Sequence, residues 1–100
     1  MRLNKNEIEA IVNAVSNRFS PDARIYLFGS RINDAAKGGD IDLLVDLPAQ
    51  DGDMVRHSCQ AIADIQMAIG EQKIDLIVRH PDSTDRAIFH EALKHGELLA

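Results

Sequence analysis

GSRINDAAKGGDIDLLVD, residues 29–46, decides the reading of this chain. Gly29 and Ser30 close a compact apolar run, Ile25-Tyr26-Leu27-Phe28, and small residues at such a place let backbone N–H groups approach an anion closely. Asp40 and Asp42 stand two apart in Asp40-Ile41-Asp42-Leu43-Leu44-Val45, so the strand period of two puts both carboxylates on one face. Two acids on one face repel unless a cation holds them. Magnesium suits the task, because it prefers hard oxygen ligands from one or two carboxylates and fills its remaining positions with water and substrate phosphates. A phosphate cradle beside a magnesium clamp points to nucleotide chemistry.

An Asp-x-Asp by itself is common and usually lies on the solvated side of a half-buried sheet. Here it is joined by the Gly-Ser pair after a strand and by a second apolar strand with one acid, Asp75 in Lys73-Ile74-Asp75-Leu76-Ile77-Val78. Asp46 is assigned to the turn with Pro48, and Asp34 to a loop.

Outward from this stretch the elements follow in order. Asn4 with Glu7 three residues later reads as a capping box, and Leu3 with Ile8 as a hydrophobic staple. Ile8, Ile11, Val12, Val15 and Phe19 then keep the 3.6-residue stripe of a helix that ends before Pro21. A strand is expected over 24–28, a short helical or irregular piece through Ala35-Ala36 and a flexible Lys37-Gly38-Gly39, then the acidic strand. A helix over 52–69 ends at Gly70, a strand covers 73–79, and Ser83 or Thr84 caps a last helix that stops near Gly96. The order αββαβα predicts an α+β fold, a small mixed sheet of three or four strands packed with helices.

Composition sets the limits. One hundred residues bury roughly 60–70% of the unfolded chain's surface, which suits a single domain over 1–100. There is no 18-residue apolar stretch and no signal-like start, so a cytoplasmic protein that does not enter membranes is expected. The single Cys59 has no disulfide partner and falls near Val55, Ile62, Ile65 and Ile69, which reads as a small core residue. His57, His80, His90 and His95 form no zinc spacing. A net charge of −5 argues against direct nucleic-acid binding, which calls for a basic patch.

Gly29-Ser30, then Asp40-x-Asp42, then Asp75 on a later strand resembles the signature of the polymerase β-like nucleotidyltransferase superfamily, and within it the minimal nucleotidyltransferases (MNT). Gly39 departs from the Ser that many members place before the first Asp. The resemblance implies a polymerase β-like palm and a magnesium-dependent enzyme using ATP, with two ions. Asp40, Asp42 and Asp75 would be the metal-binding and catalytic carboxylates, and Gly29 and Ser30 would hold the β- and γ-phosphates. Arg31 or Lys37 would neutralise the leaving pyrophosphate. Larger relatives carry an added acceptor-binding domain, and minimal members are paired with a small helical HEPN partner, often an RNase toxin. The expectation is therefore a hetero-oligomer in which AMP passes from ATP to a hydroxyl of that partner, an antitoxin role. Two alternatives stand beside it: a non-catalytic antitoxin that occludes its partner, and half of a split small-molecule nucleotidyltransferase with an aminoglycoside-like acceptor.

Overall fold

A computed structural model describes residues 3–29 and 41–100. Helix α1 spans Lys5–Arg18, strand β1 Arg24–Phe28, strand β2 Ile41–Asp46, helix α2 Met54–Ile69, strand β3 Ile74–Arg79, helix α3 Ala87–His95 and strand β4 Glu97–Leu98. The α+β class is as expected, and four strands form one mixed sheet in the order β3-β2-β1-β4. β2 runs parallel to β3 through the α2 crossover, while β1 is antiparallel to both β2 and β4. Of the described residues, no helix is long and apolar enough to cross a membrane.

α1 begins where its cap is encoded. The Asn4 side chain accepts from the Glu7 N–H at 2.8 Å, and the Glu7 carboxylate accepts from the Asn4 N–H at 3.0 Å, so two otherwise orphaned donors are satisfied. The stripe of α1 buries Ile11, Ala14 and Val15 against one face of the sheet, where Ile25, Leu27, Ile41, Leu43 and Val45 meet Ala61 and Ile65 of α2. Fully burying each of these Ile, Leu and Val side chains stabilises the fold by about 1.5–3 kcal/mol. The opposite face is thinner: Phe28 and Leu44 pack under Phe89 and Ala92 of α3, with Tyr26, Ile77 and Leu93 around them.

Three expectations are corrected. Cys59 is exposed, as is Val55 at 79%, because α2 sinks Ala61 and Ile65 and turns residues 55 and 59 a quarter turn or more away. The last helix starts at Ala87, not near Ser83 or Thr84. The Ser83 hydroxyl instead accepts from the His80 N–H at 2.9 Å and closes the turn after β3, which leaves it no helix to cap. Asp46 ends β2 rather than joining the Pro48 turn, held by Arg79 of β3 at 3.0 Å. The chain after Gly96 adds a strand, with the Leu99 N–H on the Ile25 carbonyl at 2.7 Å.

Candidate active site

The alternation of β2 decides which side its acids take. Ile41, Leu43 and Val45 enter the core under α1 and α2, so Asp42, Leu44 and Asp46 face the α3 side. On β3 the same period leaves Asp75, Ile77 and Arg79 on that side. The parallel register then makes Asp42 and Asp75 direct neighbours, as it does Asp46 and Arg79 four residues further on. Adjacent strands lie about 4.8 Å apart, so the two carboxylates project side by side from neighbouring rungs. Asp42 is half-buried and Asp75 exposed. Side-by-side carboxylates repel, and a hard divalent cation relieves that while gaining two oxygen donors. The donor set therefore fits magnesium.

Gly29 lies against the Asp42 member of this pair. Phe28, the last residue of β1, is opposite Asp42, and the chain then turns at Gly29 with φ +75°. A Cβ built there would fall onto Asp42 Oδ2 and 3.0 Å from its Cγ, so glycine is required both by the left-handed backbone and by the carboxylate it lies against. The turn and the acid strand thus meet at Gly29 and Asp42.

Asp40, Ser30, Arg31 and Lys37 lie outside the described residues, as does Asp34. Among the described residues no three His, Cys, Asp or Glu side chains gather as a metal cluster, and Asp42 with Asp75 is the described part of the expected triad. Sequence reasoning missed the Asp46–Arg79 pair, which continues the charged row of the same face. Its signal was present: Asp-x-x-x-Asp in one strand and Asp-x-x-x-Arg in the next place a second cross-strand partner four residues after the first.

A second polar group lies near the loop between β2 and α2. His57 Nδ1 and Asp51 Oδ2 are 2.7 Å apart beside a cavity of about 280 Å³ lined by Phe19, Ser20 and the 47–52 loop. Burial pushes the Asp51 carboxyl up, yet the His57 contact, the Asp53 N–H and the His57 charge outweigh it and hold its pKa below the ordinary value. The pair clasps the loop to the first turn of α2.

No curated protein matches the chain. The family model described as polymerase beta, nucleotidyltransferase matches residues 9–100, a span that takes in every strand, most of α1 and all of α2 and α3. With the carboxylates of β2 and β3 in register beside a glycine turn, the chain belongs to the polymerase beta nucleotidyltransferase family.

Proposed function

We propose that this nucleotidyltransferase domain is a magnesium-dependent adenylyltransferase of the minimal kind, passing AMP from ATP to a hydroxyl of a HEPN-type toxin partner and so acting as its antitoxin. The observation that supports it best is the Asp42–Asp75 register, with Gly29 against Asp42. Asp42 and Asp75, together with Asp40 from its place in the sequence, are the residues that would hold the metal. When bound, the metal offsets the triphosphate's charge and makes the acceptor hydroxyl more acidic. Gly29, having no side chain, admits the β- and γ-phosphates to its backbone N–H, and Ser30 adds a hydroxyl donor. Arg31 and Lys37 are assigned to the pyrophosphate. The acceptor oxygen forms a bond to the α-phosphorus as the bond from that phosphorus to the bridging oxygen breaks. Pyrophosphate leaves with the electron pair, and the exposed Asp75 takes the acceptor's proton and passes it to water.

The test is intact mass spectrometry of the partner after incubation with the chain, ATP and magnesium. The expected gain is one or more units of about 329 Da, AMP less water. Asp42→Asn and Asp75→Asn keep side-chain shape but remove a charge, so each should slow transfer by about 100-fold or more while circular dichroism shows an intact fold. Full transfer by both variants would overturn the metal assignment. A tight complex in which neither chain changes mass, with Asp42→Asn protecting cells as well as wild type, would establish occlusion instead.

A further inference from the structure

We propose that the chain forms a two-fold dimer by pairing β3 with β3 of a second copy, which brings the copy's Arg79 to the rim of the acid pair. β3 is the outer strand of the sheet, and among the described residues no strand pairs with its far side. The bonds from Ile41 N–H to the Lys73 carbonyl and from Leu47 N–H to the Arg79 carbonyl turn the odd-numbered residues of β3 inward, toward β2. Leu76 and Val78 therefore aim their N–H and C=O groups outward, a template for one more strand.

A groove of about 340 Å³ runs along that edge, lined by Leu76, Ile77 and Val78, by Met54, Val55, Ser58 and Cys59 of α2, and by Arg86. Its helix wall carries no charge, and Val55 is 79% exposed.

The sequence of β3 selects a copy of itself as the occupant. In an antiparallel pairing centred on Ile77, Leu76 lies opposite the copy's Val78 and the outward-facing groups of both meet, giving four hydrogen bonds about the axis. The same register sets Asp75 opposite the copy's Arg79, twice by symmetry. Arg79 keeps donors to spare, because Asp46 takes only Nη1. Centring on Asp75 would oppose two carboxylates, and centring on Leu76 would oppose Lys73 and Arg79, so charge favours Ile77 alone of these three. The two α2 helices then lie on the same side of an eight-stranded sheet, with their uncharged rows at the seam. This inference rests on the edge and its register, not on the transfer reaction.

Sedimentation velocity of the full chain at micromolar concentrations should give twice the chain mass, and Val55→Asp, which alters an exposed position, should give the monomer. Ile77→Cys in a Cys59→Ser background places the thiols on the axis in a non-hydrogen-bonded pair about 4.5 Å apart between Cα atoms, within disulfide range. Mild oxidation should link these chains, whereas Leu98→Cys on the opposite edge should not link. A wild-type monomer at every concentration, or linkage through Leu98→Cys but not Ile77→Cys, would overturn the dimer.

Discussion

Replacing Gly29 by alanine separates two demands that the site makes on one residue. The first is conformational: φ is +75°, where an L side chain costs about 1–2 kcal/mol. For a domain of this size that cost should lower the melting temperature by roughly 5–10 °C. The second is steric, since the new Cβ would land on Asp42 Oδ2. The obstructing atom ends a short rotatable side chain, so Asp42 can swing aside at small cost to stability but loses its place beside Asp75. Stability should therefore report the backbone term and cation binding the steric one. Thermal unfolding of Gly29→Ala, Asp42→Ala and the double variant tests the first part: the loss from Gly29→Ala should persist in the Asp42→Ala background. Calorimetric titration with magnesium and ATP tests the second, with affinity falling more than the stability loss accounts for. A Gly29→Ala protein as stable as wild type would refute the backbone argument. Unchanged nucleotide affinity in a folded variant would remove the glycine turn from the site.

Gly96 should respond differently, because its φ of −76° suits any residue while a Cβ there would collide with the Ala92 carbonyl and lie 3.0 Å from the Leu27 carbonyl. Neither backbone can yield cheaply, so Gly96→Ala should cost about 1–3 kcal/mol in chemical denaturation and expose the amides of β4 to hydrogen exchange. Asp51 has a lowered pKa, so its ionised form contributes stability above the unfolded carboxylate's pKa that disappears as pH falls through the folded value. Asp51→Asn should accordingly be less stable than wild type at neutral pH, with the gap closing in acid; a pH-independent gap in urea unfolding would contradict the His57 contact.

The fold was legible where local signals and burial agree. The capping box at Asn4 and the stripe from Ile8 to Phe19 are satisfied within the chain's first helix, and β1 needs only its own apolar run. The acid pair was legible because each Asp interrupts an apolar strand and the period of two fixes its side. What failed depends on neighbours distant in sequence. Cys59 carries the right spacing for a core position, but β3 is the outer strand of the sheet, and among the described residues α2 has nothing beyond that edge to pack on. Ser83 has cap chemistry, and the nearer His80 N–H claimed it. β4 has two residues, too few to show a pattern, and exists through its pairing with Tyr26 and Leu27.

The unequal faces of the sheet explain why the acids can stand where they do. A one-residue slip of β2 would drive Asp42 and Asp46 into the core formed with α1 and α2, where an unpaired carboxylate costs far more than any single apolar contact returns. The register is thus enforced by the thick core, and the carboxylates are delivered to the thin face whatever they later bind. There α3 spans nine residues, and its Phe89 and Ala92 cover Phe28 and Leu44, leaving Asp75 on the outer strand exposed. Among the described elements the acid pair is therefore open from above β3 and closed from above β1. An acceptor group, whether on a partner protein or a small molecule, should reach Asp75 from the α3 face of the sheet above β3, the side that stays open when the edge of β3 is paired. Bulk added on that face, as in Ile77→Trp compared with Ile77 in the monomeric Val55→Asp background, should slow acceptor transfer more than it weakens ATP binding, and equal losses in both would place the acceptor elsewhere.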